Sequence, residues 1–226
     1  MIKAIVFDLD DTLISEKEYI QSGFKTVCKK ISLEYNISYE ILFDRILELF
    51  KESSKEVFNR LLESVQIKYT NDYILELIKV YREHTPEIKF FDDVIPTIKT
   101  LRERGYKLGI ITDGYKETQL RKIEALKCRE LFDEIIVTDE LGREFWKPHE
   151  KSYKLMAEKL NVNLNEMVYI GDNENKDFIT ANKLKVISMK IIRNEGIYEK
   201  TFIGEEYLAL YNLQNLYNVY QVLEKM

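Results

Sequence analysis

Five short apolar runs alternate with helix-patterned segments along most of this chain, and that alternation leaves few folds open. The runs are residues 2–8, "KLGIITDG" (107–114), "EIIVTD" (134–139), "MVYIGD" (167–172) and "VISMKI" (186–191). The first is β-branched and continuously apolar, as a central strand buried on both faces should be. Val94, Ile98 and Leu101 stripe a helix that Gly105 can terminate. Pro96 is tolerable near its start, where backbone donors lack partners anyway. Further helices are predicted at about 115–126, 149–160 and 174–183, with a terminal one near 213–225. Strands alternating with helices of this length imply βαβ units and a parallel sheet.

One stretch breaks the rhythm. From Glu16 to His84 the pattern is helical throughout: Leu42, Ile46, Leu49 and Phe50 share one helix face, and Ile74, Leu77, Ile78 and Tyr81 share another. The expected architecture is therefore α/β, a Rossmann-like parallel-sheet core over 1–14 and 87–226 with an all-helical cap inserted over 15–86. Tyr19, Phe24, Phe43, Phe50 and Phe58 are assigned to the cap's own core.

Composition narrows the function. A net charge of -5, with acidic and basic residues interspersed, argues against a nucleic-acid partner. The two cysteines, Cys28 and Cys128, are far apart and read as structural, which suggests a reducing compartment without a disulfide framework. The first strand begins at Ile2 and leaves no room for a signal peptide, and no apolar stretch approaches a membrane span. The expectation is a cytoplasmic protein with no membrane partner, in which the sequon Asn36-Ile37-Ser38 is accidental. His84 and His149, each alone, read as surface or helix-end residues rather than ligands.

The strand ends carry the chemistry. In open α/β sheets, ligands bind beyond the carboxyl ends of the strands. Asp8, Asp10 and Asp11 follow the first strand; Thr112, Asp113 and Gly114 end the next; Asp172 ends "VYIGD", with Asp177 five residues on. If these strands are parallel neighbours, the acids meet at one edge, where they would repel one another strongly. A hard divalent cation with oxygen ligands resolves that conflict, and Mg²⁺ suits a site with few carboxylates and several waters. Lys147, in "WKPHE" ahead of a helix-opening proline, supplies complementary charge.

These residues resemble the haloacid dehalogenase (HAD) superfamily, particularly its phosphatases with a helical C1-type cap after the first motif. Asp8-Leu9-Asp10-Asp11-Thr12 matches DxDxT, Thr112 the second motif, Lys147 the third, and Gly171-Asp172 with Asp177 the fourth, GDxxxxD. The resemblance implies an aspartyl-phosphate on Asp8, with Asp10 as general acid and then base. It implies phosphoryl binding by Thr112 and around Asp11, Thr12, Asp113 and Gly114, and charge compensation by Lys147. Asp8, the backbone carbonyl of Asp10, and Asp172 would hold Mg²⁺, with Asp177 in support. The cap would close over the site, hinged near Leu13–Ser15 and Thr85–Ile88.

Asp10 favours phosphate esters over carbon–halogen bonds, since a departing halide needs no proton. Two departures stand out. Asp113 occupies a position where many relatives carry Asn, and "GREFWKP" puts two extra residues between Gly142 and Lys147. Trp146 then sits beside the lysine, either walling the pocket or packing beneath it. The expected activity is hydrolysis of a small phosphorylated metabolite, by a monomer or homodimer. A β-phosphoglucomutase-like mutase and a non-catalytic binding protein on the same fold are the rival readings.

Overall fold

The computed structural model describes residues 1–193 and 204–225. In chain order the elements are β1 (Ala4–Phe7), α1 (Glu16–Tyr35), α2 (Tyr39–Glu52), α3 (Val57–Ser64), α4 (Asn71–Glu83), α5 (Val94–Glu103), β2 (Lys107–Thr112), α6 (Lys116–Ala125), α7 (Cys128–Leu131), β3 (Glu134–Val137), α8 (Lys151–Lys159), β4 (Met167–Gly171), α9 (Phe178–Lys183), β5 (Ile187–Ile191), β6 (Tyr211–Leu213) and α10 (Asn218–Leu223). The strands form one sheet in the order β3-β2-β1-β4-β5-β6, every pairing parallel.

All four residues of β1 are fully buried. Phe7 lies opposite Ile110 of β2 and Ile170 of β4, so the acids after β1 emerge between the ends of the strands carrying Thr112 and Asp172. Alternate β1 side chains enter opposite layers, as a strand's period of two requires. Ile5 and Phe7 pack with Ile98, Leu101 and Ile123, while Ala4 and Val6 pack with Tyr153, Met156, Phe178 and Ala181. Burying an aliphatic or aromatic side chain of this kind stabilises by about 1.5–3 kcal/mol. Truncating Phe7 to Ala would cost about 3–5 kcal/mol, because the two layers leave little room to collapse.

The α5 stripe of Val94, Ile98 and Leu101 is buried as its spacing predicts. Gly105 stops the helix in the left-handed region (φ 82°), and the next N–H, of Tyr106, returns to the Leu101 carbonyl. Other boundaries moved. α9 begins at Phe178 rather than near 174, because residues 173–177 form a turn in which the Asp177 N–H donates to the Asn173 carbonyl. α8 begins at Lys151, α10 is shorter than its periodicity suggested, and the four-residue α7 went unforeseen. The sequence also missed β6: three residues, two of them exposed, carry too little pattern to register.

The chain divides into two compact units, Met1–Lys17 with Ile88–Met226, and Glu18–Glu87. The second is wholly helical around a core of its own, built from Phe24, Val27, Ile31, Leu42, Ile46, Leu61, Leu62 and Leu77. Ser38 and Thr70 cap α2 and α4 by accepting from the Ile41 and Tyr73 N–H groups. His84 is a helix-end residue but not a surface one. It is buried, with its ring nitrogens against the Tyr81 carbonyl (2.6 Å) and the Ser22 hydroxyl (3.0 Å). Asn36 ends α1 in the left-handed region (φ 52°). No helix among the described residues is long and apolar enough to cross a membrane.

Candidate active site

At the tip of β1, the Asp8 N–H donates to the Ile170 carbonyl at 2.8 Å, which holds the residue at the sheet's edge. Its carboxylate accepts from Lys147 Nζ at 2.8 Å. The same ammonium donates to Asp177 Oδ1 and to the Tyr169 hydroxyl, each at 2.8 Å. Three donors thus meet three acceptors, which satisfies a fully buried lysine. Asp177 is fixed from both sides: the Tyr169 hydroxyl donates to Oδ1 (3.1 Å) and the Asn173 N–H to Oδ2 (3.0 Å).

Oxygens of Asp8, Asp172 and Asp177 lie within 4.8 Å of one another. Burial, then the charge of Asp177, push the Asp8 carboxyl up to about 6 against the pull of Lys147. Asp177 stays below the usual range because Lys147 and Lys176 outweigh its burial. Burial also disfavours the charged Lys147, yet Asp177, Asp8 and Asp113 hold its ammonium well above its usual range. For Asp172 the pull of Lys176 is too weak to offset its surroundings. Burial and the charges of Asp177 and Asp8 push it well above the carboxylate range, and its buried Oδ1 has no hydrogen-bond partner among the described residues. A half-buried carboxyl group with a buried oxygen that lacks a partner among the described residues, beside two buried ones, fits a small hard cation.

The remaining predicted residues divide by what they touch. The buried Thr112 hydroxyl donates to Gln119 Oε1 at 3.2 Å. Asp113 turns Oδ1 towards the Thr138 hydroxyl (2.6 Å) and the Lys147 N–H (3.2 Å). That pattern asks only for an acceptor, which explains how Asp serves where Asn is commoner. Gly114 adopts φ 131°, and a Cβ there would meet Gln119 Nε2 at 2.5 Å, so the loop needs glycine twice over. Asp11, itself left-handed (φ 50°), accepts the Glu16 N–H at 2.9 Å and thereby ties down the start of α1. Thr12 gives its carbonyl to the Arg193 guanidinium, and its buried hydroxyl has no partner among the described residues.

Asp10 is not part of the acidic cluster's side chains. Its Oδ1 accepts from Lys122 Nζ at 2.6 Å and its Oδ2 from Gln119 Nε2 at 3.0 Å. Neither partner was singled out from the sequence. The available signal was weak: both occupy buried positions of α6 beside Ile123, where an apolar stripe would be expected. Lys176, hidden in the polar run "NENK", was also missed; it is held above its usual value, despite burial, by Asp8 and Asp177, and sits 3.9 Å from Asp113 Oδ2. Trp146 donates its indole N–H to Asp139 (3.1 Å) and meets Tyr115 edge-on, so the longer loop is tied to the segment after β3.

Known proteins carry the same plan. The sequence profile of the haloacid dehalogenase-like hydrolases matches residues 5–191. A glyceraldehyde 3-phosphate phosphatase of Methanocaldococcus jannaschii is 32% identical over the full length of both chains. One from Methanopyrus kandleri is 31% identical, covering 86% of each. A solved HAD phosphatase of Thermococcus onnurineus superposes with a TM-score of 0.63 at 27% identity, covering 98% of each chain. With the profile spanning β1 through β5 and a relative aligned end to end, the chain belongs to the haloacid dehalogenase-like hydrolase family.

Proposed function

We propose that this protein is a Mg²⁺-dependent phosphatase of small phosphomonoesters that works through an aspartyl-phosphate on Asp8. The observation that carries the reading is the Lys147–Asp8 pair beside Asp172, whose buried Oδ1 has no hydrogen-bond partner among the described residues. A carboxyl at about 6 is mostly ionised at neutral pH, as a nucleophile must be. An Asp8 oxygen attacks phosphorus and the P–O bond to the leaving alcohol breaks, the departing oxygen taking a proton from Asp10. Water then attacks the phosphorus, gives its proton to Asp10 and regenerates the Asp8 carboxylate. Splitting the reaction this way replaces one hard displacement with two easier ones. Lys147 holds the nucleophile's orientation and offsets charge on the phosphoryl oxygens. Mg²⁺ held by Asp8, Asp172 and the Asp10 carbonyl, with Asp177 in support, would neutralise more of that charge.

The end-to-end relative named as a glyceraldehyde 3-phosphate phosphatase supports a three-carbon sugar phosphate as substrate. Free, buried Cys28 and Cys128 support a reducing compartment such as the cytoplasm. The test is phosphate release from glyceraldehyde 3-phosphate, phosphoglycolate, hexose phosphates and nucleoside monophosphates, by the parent and by Asp8→Asn. EDTA-sensitive turnover lost in the variant is the expected result. Interconversion of hexose phosphates dependent on a sugar bisphosphate, with little phosphate release, would replace the phosphatase by a mutase.

A further inference from the structure

We propose that Lys122 and Gln119 of α6 are positioning residues for Asp10, gripping one carboxylate oxygen each. The inference rests on the reading of Asp10 as general acid and base. Lys122 Nζ reaches Asp10 Oδ1 at 2.6 Å and Gln119 Nε2 reaches Oδ2 at 3.0 Å. Positions three apart on a helix share a face, so one rigid element supplies both donors. Gln119 is itself immobilised. Its Nε2 also donates to the Asp113 carbonyl at 2.9 Å, and its Oε1 accepts the Thr112 hydroxyl at 3.2 Å. Both amide hydrogens and the carbonyl oxygen are therefore engaged, which leaves the amide one orientation. One side chain thus links the loop after β1 to the loop after β2.

A purely structural account of the pair is weak. Lys122 is almost wholly buried, and a buried ion pair often stabilises no better than apolar residues of the same volume. The lysine also faces a second acid: the Glu16 carboxylate lies in its field, with a buried Oε2 that has no hydrogen-bond partner among the described residues. A fold seeking stability alone would not gather a lysine and two acids there. A reaction that needs one carboxylate held in line with a leaving oxygen would, because a displacement of about 1 Å can cost about 10²-fold in rate.

The test uses leaving groups. An alkoxide must be protonated as it departs, whereas 4-nitrophenolate leaves without help. Single-turnover rates of the first displacement, with Mg²⁺, are compared for the parent, Asp10→Asn, Lys122→Met, Gln119→Met and Lys122→Arg. The substrates are 4-nitrophenyl phosphate and glyceraldehyde 3-phosphate, or whichever alkyl phosphate the parent turns over. Lys122→Met and Gln119→Met are expected to slow the alkyl phosphate about 10- to 100-fold more than the aryl one, a part of the roughly 10²–10⁴-fold that general acid catalysis supplies. KM should hold, and Lys122→Arg should recover most of the loss. Equal losses on both substrates, or a change confined to KM, overturn the proposal while Asp10→Asn still discriminates. If Asp10→Asn discriminates no better than the parent, the acid reading falls and the positioning role with it. Should Lys122→Met fail to fold, Gln119→Met decides by the same comparison.

Discussion

Two buried lysines serve the acids that follow β1, and they balance charge differently. Lys147 is shared between Asp8 and Asp177, and beside them Asp172 Oδ1 has no hydrogen-bond partner among the described residues. Lys122 donates to Asp10 Oδ1, and Gln119 takes the other oxygen. The first network gathers oxygens of Asp8, Asp172 and Asp177 and fits a cation; the second sets one lysine in the field of both Asp10 and Glu16. Two aspartates separated by one leucine therefore meet different surroundings, a lysine shared with another acid for Asp8 and a lysine and an amide, one on each oxygen, for Asp10. The neighbours, rather than the residue type, set these surroundings.

The largest expected effect tests the first network at its centre. Asp8→Asn should lower turnover by on the order of 10⁴-fold or more, as loss of a nucleophile does in other covalent enzymes; residual activity near the parent's would show the chemistry lies elsewhere. Asp172→Asn sharpens the contrast through the cation. At a concentration 100 times its Kd, Mg²⁺ should stabilise the parent by about 2.7 kcal/mol, read as a rise in Tm. The variant should lose that rise yet melt no lower than the parent in EDTA, because the acid whose ionisation burial and the neighbouring aspartates disfavour is gone. An undiminished Mg²⁺ response in Asp172→Asn would break the comparison.

Glu16 probes the second network by pH. Burial, then the charge of Asp10, push its carboxyl up to about 7 from an ordinary 4.5. The native state keeps a proton that the unfolded chain releases, so stability falls as pH rises from about 4.5 to 7 and the penalty is complete above that. Glu16→Gln should therefore raise stability at pH 8 by on the order of 2 kcal/mol and change it little at pH 4.5, measured by denaturant melts in EDTA. A gain of equal size at both pH values would refute the cause. Asp113→Asn should do least. An amide oxygen can accept from both the Thr138 hydroxyl and the Lys147 N–H, so turnover should stay within about threefold, less than 1 kcal/mol.

Much of the first network was readable in one dimension. Asp8, Asp172 and Asp177 stand at or just beyond strand ends, and Lys147 precedes a proline; the type and order of these residues suffice to nominate them. Asp11 was nominated as a phosphate neighbour, and its side chain instead receives the Glu16 N–H. The second network left almost no trace, because Lys122 and Gln119 sit in an ordinary charged helix and look solvated. β6 escaped for a related reason, since its three residues find their meaning only against β5.

By itself the sequence determined the parallel α/β plan, the helical insertion and the acids at the strand ends, because periodicity and strand-end chemistry are local properties of a chain. The tertiary structure alone decided that β1 lies between β2 and β4, that Asp172 Oδ1 finds no partner among the described residues, and that Lys122 closes on Asp10 across 112 residues of chain. Burial and pairing are created by packing, and they give a row of similar carboxyl groups different partners and different surroundings.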